Sequence, residues 1–507
     1  MPSTDYAYRR LVNTLGPERV ARTEFERMAY SHDFAALPKV ALLQWQLYPD
    51  FVVLPQTAEE VSAIVKLSDE SGLPIVPRGG GTGWYGGAVP NRGGVLLDMR
   101  KMSKIVALDP AARTVTAEAG ATWHDLAMFV EAKGLALPAM PFNAMASTIG
   151  GAINSGVPGF GTFRNGSLAD AVVSLEVVLP NGRVMTTADP RDAGTTFANL
   201  TPLFVGAEGT LGIITKATLR LRAKPEASKP LAYGFPSAEA GAAFVTAVVD
   251  SGIAPYHAAL LDKEHFAMER ILRPEAPDPV DAILVGLEGT KDDVADQEKA
   301  LDDLAARGGG RKLRPEAVQD LWGRRFTMYS ARRLSKGLVV SNNLVPLVKL
   351  KEGVAAAREL IRRLKLNGSV QAALVDSNTA ILAPYVLMDE TTPSGGAALG
   401  YVKKLGDTAM ELGGHPMGLG LFMVFNLRKM HGHSAPYYAH LKSVLDPTKK
   451  INGGKTVEVW TKFQRYPGIR AIPPPAMAAG LNLAAFLRRI KPTTDKFAKA
   501  YERERGA

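Results

Sequence analysis

Cysteine is absent from this chain of 507 residues. Its absence excludes disulfide bonds, thiolate metal sites and iron–sulfur clusters held by cysteine. The sequence has no run of 18 apolar residues, so it predicts no membrane-spanning helix. The polar N-terminus lacks the apolar stretch of a secretory signal, and together with the missing cysteines it favours a cytoplasmic location. Internal repeats are also missing.

The charge is unbalanced towards the basic side, with 60 Lys and Arg against 50 Asp and Glu. A net charge of +10 attracts anionic substrates, acidic proteins or an anionic membrane surface, although a basic solvated surface needs no partner. Nucleic acid is not expected as a partner, because the arginines are scattered and zinc-finger and helix-turn-helix patterns are absent.

A glycine-rich loop is the most informative feature that is present. The segment Pro74–Gly87 reads PIVPRGGGTGWYGG. Glycine admits positive φ, and successive N–H groups in such a turn form a concavity that suits a pyrophosphate. An apolar run at 94–99 follows and predicts a strand, which excludes a Rossmann fingerprint, and the Gly-Lys-Ser/Thr of a P-loop is missing. A tight turn between strands is the alternative for this loop taken alone.

Two further glycine clusters follow at 146–156 and 205–215. In this order the three clusters resemble the FAD-binding domain of p-cresol methylhydroxylase and vanillyl-alcohol oxidase, in the FAD-linked oxidase family. The residues of the third cluster are similar to those of the D-2-hydroxyacid (D-lactate and glycolate) dehydrogenases. The positions that the resemblance assigns to FAD binding are Pro77, Arg78, Gly79, Gly80, Gly81, Thr82, Gly83, Ser147, Thr148, Gly150, Gly151, Ile153, Gly209, Gly212 and Ile214.

Attachment of the FAD is expected to be non-covalent. Vanillyl-alcohol-oxidase relatives often bind the flavin through a histidine. Here no histidine lies between His32 and His124, so the first glycine loop cannot supply that bond. The missing cysteines exclude a cysteinyl bond.

The expected fold class is α+β, with a two-part α/β FAD-binding domain and an α+β substrate (cap) domain. In the cap, helices are expected to cover one face of an antiparallel sheet. The predicted segments are a helical lead-in (1–48), the FAD-binding domain (49–222), the cap (223–440), a return segment to the FAD domain (441–468) and a basic C-terminal tail (469–507).

The metal site of D-2-hydroxyacid dehydrogenases is expected to be lost. Their His-x-Gly-Asp-Gly-Asn-x-His segment falls on 373–380, where Ala373 and Ala380 replace both histidines. The carboxylate of their later Glu-His-Gly segment is replaced by Gly414. Alanine and glycine side chains carry no ligand atom, so we predict no metal of the family type. His431 and His433 form either a substitute metal site or a polar loop; their spacing fits no zinc signature.

Two positions that carry the family's catalytic functions are retained. His415 falls on the active-site histidine, and imidazole near neutral pH accepts a hydroxyl proton. Arg325 falls on the arginine that binds the substrate carboxylate, with Arg324 as the alternative match. Without a catalytic function, His415 would be a core histidine and Arg325 a surface arginine. The family's next lysine is not found, since Val340 stands near its place.

The resemblance implies an FAD-dependent dehydrogenase or oxidase that transfers hydride from the CH–OH group of a 2-hydroxyacid-like substrate to flavin N5. One alternative is a metal-free oxidase or hydroxylase of phenols. Its pocket walls would come from the aromatic residues Trp84, Tyr85, Phe142, Phe160, Tyr329 and Tyr385. Another alternative is a flavin subunit of a larger electron-transfer complex.

The electron acceptor is expected to be a protein or a quinone, and homo-oligomers are compatible with the sequence. The tail behind Pro473–Pro475 is basic, because 488–507 holds seven basic and three acidic residues. It predicts either peripheral contact with the inner face of the membrane or a partner protein, or else a solvated helix on its own domain.

Overall fold

The computed structural model describes residues 4–35, 37, 45–189, 199–327, 329–389, 396–421, 423–458 and 460. Their α-helices are α1 (Thr4–Leu15), α2 (Glu24–Ala29), α3 (Ala58–Ser71), α4 (Trp123–Glu131), α5 (Ile149–Ser155), α6 (Thr162–Asn165), α7 (Leu168–Ala171), α8 (Ala238–Asp250), α9 (Lys263–Leu272), α10 (Lys291–Arg307), α11 (Pro315–Gly323), α12 (Leu350–Arg363), α13 (Gly396–Glu411), α14 (Leu427–His431) and α15 (Ala435–Leu445). None of these helices has the length and apolarity needed to span a bilayer. The predicted tail lies outside the described residues.

The β-strands of the same residues are short, and most are antiparallel. They are β1 (Val20–Ala21), β2 (Phe51–Val53), β3 (Ile75–Arg78), β4 (Val95–Asp98), β5 (Ile105–Asp109), β6 (Thr114–Glu118), β7 (Leu135–Ala136), β8 (Met140–Pro141), β9 (Gly159–Phe160), β10 (Val172–Val178), β11 (Val184–Thr186), β12 (Ile213–Arg220), β13 (Arg222–Ala223), β14 (Ala227–Phe235), β15 (His257–Leu261), β16 (Asp281–Gly289), β17 (Arg311–Lys312), β18 (Gly337–Val340), β19 (Asn343–Pro346), β20 (Gly368–Ser369), β21 (Gln371–Leu374), β22 (Thr379–Leu382), β23 (Tyr385–Met388) and β24 (His415–Pro416).

The described residues form two compact units. Unit 1 combines the described parts of Met1–Val157, Leu168–Ala223 and 418–460. Unit 2 combines Pro158–Ser167 with the described parts of Lys224–Met417. Each unit is therefore assembled from segments that are far apart in the sequence.

Unit 1 contains two main sheets. The first has the strand order β1-β2-β4-β3, in which β2, β4 and β3 run parallel and β1 is antiparallel. The second is antiparallel, with the order β11-β10-β12-β6-β5. The parallel strands are nearly continuous apolar runs, such as Phe51–Val53, as expected for strands that are buried on both faces.

The helix α3 shows why the sequence folds locally as it does. The Thr57 side chain accepts a hydrogen bond from the Glu60 amide and caps its first turn. Gly72 ends it in the left-handed conformation, with φ 68°. Its apolar stripe, including Val61 and Ile64, is packed into the core of unit 1 beside α1. These contacts place the end of β3, where the glycine loop starts.

Unit 2 is built on an eight-stranded antiparallel sheet with the order β17-β14-β16-β15-β21-β22-β19-β24. A three-stranded sheet, β18-β23-β20, lies in the same unit. The predicted α+β class is confirmed.

Helices pack on both faces of the large sheet of unit 2, which corrects the expectation of one covered face. Ile283 and Gly286 of β16 point to opposite faces, because side chains alternate along a strand. A Cβ at Gly241 of α8 would lie 3.2 Å from the Ile283 Cδ1 atom. On the other face, a Cβ at Gly286 would lie 2.4 Å from the Trp322 indole of α11. Gly286 thus leaves the room that the indole occupies.

Candidate functional site

The glycine loop of unit 1 presents backbone rather than side chains. Residues 79–82 are half-buried and Gly83 is exposed. Within the part of the chain that the structure describes, the N–H groups of residues 79–83 donate no hydrogen bond to the protein. Gly81 has φ 65°, a value that favours glycine. A turn with successive unbonded N–H groups binds anions, so the loop fits the pyrophosphate of a dinucleotide.

The first loop packs directly on the second glycine cluster. A Cβ at Gly79 would lie 2.0 Å from the Thr148 Oγ1 atom. A Cβ at Gly80 would lie 1.9 Å from the Ala146 carbonyl oxygen. Thr148 also caps α5, because its Oγ1 atom accepts a hydrogen bond from the Gly151 amide at 3.2 Å. Only glycine at 79 and 80 allows the two backbones to approach this closely.

The third cluster is bonded to the second through Asn154. The Asn154 Oδ1 atom accepts a hydrogen bond from the Gly209 amide at 3.0 Å. The backbone carbonyl of Asn154 accepts one from the Glu208 amide at 2.8 Å. A Cβ at Gly209, where φ is 68°, would lie 3.2 Å from the Pro77 Cγ atom. The structure therefore brings all three clusters together within unit 1.

Several predicted FAD-binding positions lie in the packed interior beneath these loops. Ser147, Gly150, Ile153, Gly212 and Ile214 are buried. Cβ atoms at Gly150 and Gly212 would lie 2.8 Å from the Ala119 Cβ atom and 2.6 Å from the Val177 Cγ1 atom. These positions hold the loops by close packing, whereas the loop 79–83 presents the unbonded donors.

Glu208 ties the third cluster to the end of unit 1, a contact that the sequence did not indicate. Its carboxylate accepts hydrogen bonds from the Leu419 and Gly420 amides at 2.7 and 2.6 Å. Burial raises the pKa of Glu208, and these two hydrogen bonds oppose the rise. Glu208 itself has φ 52°, which is uncommon for a residue with a side chain.

Lys455 is a buried cation beside the glycine loop, and sequence reasoning gave it no role. Its side chain is 1% exposed, and Nζ donates to the Gly87 carbonyl at 2.8 Å and the Asn452 Oδ1 atom at 2.6 Å. Burial lowers the pKa of Lys455 to about 7, although the Asp33 and Glu208 carboxylates act in the opposite direction. The only sequence signal was its place in Asn452-Gly453-Gly454-Lys455, within the predicted return segment.

Arg78 begins the loop from the end of β3. Its Nη1 atom donates to the His32 carbonyl at 2.6 Å, and its guanidinium lies 5.5 Å from the centre of the Tyr30 ring. Burial lowers the pKa of Arg78, and the carboxylates of Asp33 and Asp98 act against this shift. Arg78 and Lys455 therefore both lie beside the loop, and the Asp33 carboxylate is close to each of them.

His415 lies in unit 2, at the edge of the large sheet. It is the first residue of β24 and pairs with Leu344 of β19. The side chain is exposed, and Nδ1 lies 2.9 Å from the Pro416 carbonyl oxygen. A carbonyl only accepts hydrogen bonds, so Nδ1 carries the hydrogen and Nε2 of the neutral ring keeps its lone pair. This tautomer can accept a proton at Nε2.

Arg325 of unit 2 is enclosed by aromatic rings. Its guanidinium lies 4.5 Å from the centre of a Trp322 ring, 4.4 Å from Phe326 and 5.8 Å from Phe160. Its Nη1 atom donates to the Trp322 carbonyl at 2.6 Å. Arg325 and His257 help to line a cavity of about 30 Å³. Burial, followed by repulsion from Arg325, lowers the pKa of His257 to about 3.

The alternative arginine, Arg324, also lines this cavity and shares the Asp320 carboxylate with Arg273. Its Nε atom lies 3.2 Å from the Asp320 Oδ1 atom on the preceding helical turn. Among the two candidates, Arg325 is the one that faces aromatic rings rather than a carboxylate. His415 is not among the described residues that line the cavity. The structure therefore does not join the two predicted catalytic residues in it.

The positions at which the resemblance places metal ligands lie in closely packed backbone. Ala373 and Ala380 are 8% and 0% exposed on the paired strands β21 and β22. A Cβ at Gly414 would lie 2.0 Å from the Leu344 carbonyl oxygen, so this backbone has no room for a ligand side chain there. The His431 ring lies 5.0 Å from the Tyr438 ring. Across the described residues, no three His, Asp or Glu side chains are grouped to hold a metal.

Known proteins share both the sequence and the fold. Residues 49–188 match the model of an FAD binding domain, and residues 224–456 match that of the C-terminal domain of FAD linked oxidases. Glycolate oxidase subunit GlcD of Bacillus subtilis is 30% identical over 364 residues, which cover 71% of this chain and 75% of that protein. The mitochondrial D-lactate dehydrogenase [cytochrome] of Arabidopsis thaliana is 29% identical, with 81% and 73% covered.

The solved structure of p-cresol methylhydroxylase with substrate bound shares the fold, with a TM-score of 0.75 at 18% identity. It covers 90% of this chain, and 97% of that structure is matched. The resemblance inferred from the three glycine clusters is thereby confirmed, and so is FAD as the cofactor. With matched models over both parts of the chain and a relative covered over three-quarters of its length, this protein is a member of the FAD-linked oxidase family, an FAD-dependent oxidoreductase.

Proposed function

We propose that this protein oxidises the CH–OH group of a 2-hydroxyacid, of the D-lactate or glycolate type, without a metal ion. The relatives named for glycolate oxidase and D-lactate dehydrogenase support this substrate class. The observation that carries the proposal is His415, whose hydrogen bond to the Pro416 carbonyl leaves Nε2 able to accept the hydroxyl proton.

The loop 79–83 would hold the pyrophosphate of FAD through its unbonded N–H groups, with Arg78 and Lys455 adding positive charge at the same place. Binding without a covalent bond is part of the proposal. When bound, FAD supplies the hydride acceptor of the reaction. The remaining chemistry falls to the protein, which has to orient the substrate and remove one proton.

Arg325 is the proposed carboxylate-binding residue. A guanidinium binds a carboxylate through two parallel hydrogen bonds, and the rings of Trp322 and Phe326 hold its plane by cation–π contact. Arg324 is a poorer candidate, because its Nε atom already contacts the Asp320 carboxylate and, among the described residues, aromatic rings do not hold its plane. An aromatic surround also excludes water, which strengthens a charge–charge contact with the substrate.

The proposed reaction needs no divalent cation because the positions of its ligands are occupied by Ala373, Ala380 and Gly414. The closeness of the Leu344 carbonyl to Gly414 supports this part of the proposal. Without a cation to polarise the hydroxyl group, proton removal by His415 carries more of the rate. Chelators are then expected to leave the activity unchanged.

A protein electron acceptor completes the proposal. The name of the Bacillus relative contains the word subunit, and that of the Arabidopsis relative contains the word cytochrome. Both names are compatible with electrons leaving the flavin for another protein. They support a protein acceptor without naming the one that this chain uses.

Anaerobic stopped-flow spectroscopy tests the function directly. Loss of the flavin absorbance is followed after mixing with D-lactate, L-lactate, glycolate, p-cresol and 4-hydroxybenzyl alcohol. We expect a hydroxyacid to bleach the flavin and the phenols to leave it oxidised. In His415→Ala the reduction rate should fall roughly 10²–10⁴-fold with FAD still bound. His433→Ala, at another exposed histidine, is the matched control and should behave as the wild type.

Bleaching by the phenols alone would replace the hydroxyacid proposal with the phenol oxidase. An unchanged rate in His415→Ala would remove His415 from the reaction. Activity lost in EDTA and restored by a divalent ion would refute the metal-free reaction.

A further inference from the structure

The cavity of about 30 Å³ in unit 2 is lined by His265 of α9 as well as by Arg325 and His257. This volume has room for about two water molecules, which is similar to the size of a carboxylate group. Phe266 and Leu284 are among its apolar walls. In such surroundings a hydrogen-bond donor interacts more strongly with a ligand than it does in water.

The backbone that carries His265 is held firmly at the start of α9. The Asp262 carboxylate caps this helix and accepts a hydrogen bond from the His265 amide at 3.1 Å. The same carboxylate accepts hydrogen bonds from the Ser369 hydroxyl and the Val370 amide, both at 2.7 Å. These bonds join α9 to the end of β20, so the position of the imidazole is fixed before any ligand binds.

The hydrogen bonds of the His265 ring determine its tautomer. The Nδ1 atom lies 3.3 Å from the Gln371 Nε2 atom and 3.2 Å from the Tyr385 hydroxyl. An amide nitrogen only donates, so Nδ1 accepts and the hydrogen of the neutral ring is on Nε2. Burial, followed by repulsion from Arg273, lowers the pKa of His265 to about 4. The ring is therefore neutral at pH 7, with one N–H donor.

The Nε2–H group of His265 is turned towards the cavity. Gln371 and Tyr385, which face Nδ1, are not among the described residues that line the cavity, so the opposite edge of the ring faces it. Within the described part of the chain, Nε2 has no hydrogen-bond partner. Glu269, one helical turn away, is engaged elsewhere: it accepts a hydrogen bond from the Ser330 hydroxyl and contacts Arg273 at 3.4 Å. The cavity thus contains a donor that suits an acceptor on a ligand.

Among the described residues, the charged side chains that line the cavity are Arg273, Arg324, Arg325, Glu269 and Asp320. Asp320 accepts two hydrogen bonds from Arg273, both at 3.0 Å, and lies 3.2 Å from Arg324. Glu275 also contacts Arg273, at 3.7 Å, but its side chain is 71% exposed and water screens its charge. Three guanidinium groups face two carboxylates, and the histidines are neutral, so the charge of the cavity suits one further carboxylate.

We propose that the substrate carboxylate binds in this cavity and accepts hydrogen bonds from the Arg325 guanidinium and from the Nε2–H group of His265. This inference rests on the proposed function, in which Arg325 binds the carboxylate. A substrate without a carboxylate leaves the buried N–H group of His265 unpaired, and sites of this kind discriminate strongly against such ligands. His265 is therefore a specificity-determining residue that favours hydroxyacids over other alcohols.

Isothermal titration calorimetry of the oxidised holoenzyme with pyruvate tests the contact without turnover. Pyruvate carries the carboxylate of a lactate-type substrate and has no hydroxyl group to oxidise. In His265→Leu its Kd should rise roughly 10- to 100-fold, the loss expected for a hydrogen bond to a charged group. His265→Gln keeps an N–H donor and should recover part of the affinity. With methyl pyruvate, which lacks the charge, the loss in His265→Leu should be smaller. His124→Leu, at a half-buried histidine of unit 1, is the control and should bind pyruvate like the wild type.

Nuclear magnetic resonance of protein labelled with ¹⁵N-histidine reads the contact directly. The His265 signal, identified by its loss in His265→Leu, should show the Nε2–H tautomer, and its proton resonance should shift when pyruvate is added. An Nδ1–H tautomer, a resonance that does not move, or no pyruvate binding to the wild type would overturn the proposal. Circular dichroism and the flavin content verify that each variant is folded.

Failure of this inference is distinguishable from failure of the proposed function. If hydroxyacids bleach the flavin while His265→Leu binds pyruvate as tightly as the wild type, only the assignment of His265 is wrong. If no hydroxyacid bleaches the flavin, the proposed function fails and the assignment of His265 fails with it.

Discussion

Gly80→Ala is the substitution that tests most directly how the glycine loop packs on the second cluster. The new Cβ would lie 1.9 Å from the Ala146 carbonyl oxygen, whereas real Cβ contacts essentially never fall below 3.0 Å. The two backbones must therefore separate by about 1.1 Å. Overpacking of this kind costs about 1–3 kcal/mol. Since about 1.4 kcal/mol corresponds to a factor of ten, FAD binding should weaken by roughly 5- to 150-fold if the loop absorbs the movement.

The assay is reconstitution of the apoprotein with FAD, followed by flavin fluorescence to obtain a Kd. Gly87→Ala is the control, because its Cβ would meet nothing within 4 Å and its φ is not positive. The Kd of the control should equal that of the wild type. If Gly80→Ala and Gly87→Ala bind FAD equally well, the contact between the first two clusters does not support the FAD site, and the reasoning is refuted.

Arg325→Ala should raise the KM for a hydroxyacid in steady-state dye reduction, because the carboxylate loses its guanidinium, while Arg324→Ala should change it little. A chelator-treated enzyme should show the same KM as the untreated one. His257 has a folded pKa of about 3, below the usual 6.5, so the unfolded state binds more protons between these values and stability falls as the pH drops below about 6.5. His257→Phe should flatten the loss of Tm in this range. Lys455 has a pKa of about 7 in the folded protein, against an ordinary value of 10.5, so the unfolded state binds more protons between these values. The free energy of unfolding of the wild type relative to Lys455→Met should therefore rise from pH 7 to 10. In urea unfolding the rise should reach up to about 1.4 kcal/mol per pH unit.

The glycine clusters were predictable from the sequence, because glycine widens the range of backbone conformations at its own position. The glycines at 79 and 80 indicated a loop that suits a pyrophosphate, and the structure shows that this loop also packs on the second cluster. The same logic failed for one cap feature. Gly286 carries no turn signal, and its role of admitting the Trp322 ring to a sheet face depends on a helix that is 29 residues or more away in sequence.

Side-chain partners were less predictable, because charge pairing depends on long-range contacts. Neither Lys455 nor Glu208 carries a local signal for its partner, the first lying beside Gly87 and the second beneath Gly420. His257 had no informative context in the sequence, yet the fold brings it beside Arg325. Such pairs depend on which segments the fold brings together. The pattern of residues along the chain does not show this.

The contact between Glu208 and the amides of Leu419 and Gly420 has a consequence for synthesis of the chain on the ribosome. The third glycine cluster emerges about 200 residues before the backbone that its carboxylate binds. At about 5–20 residues per second, that interval lasts roughly 10–40 s. During this time unit 1 is incomplete, its cofactor loop lacks Lys455, and the Glu208 carboxylate lacks the two amides that it binds in the folded protein.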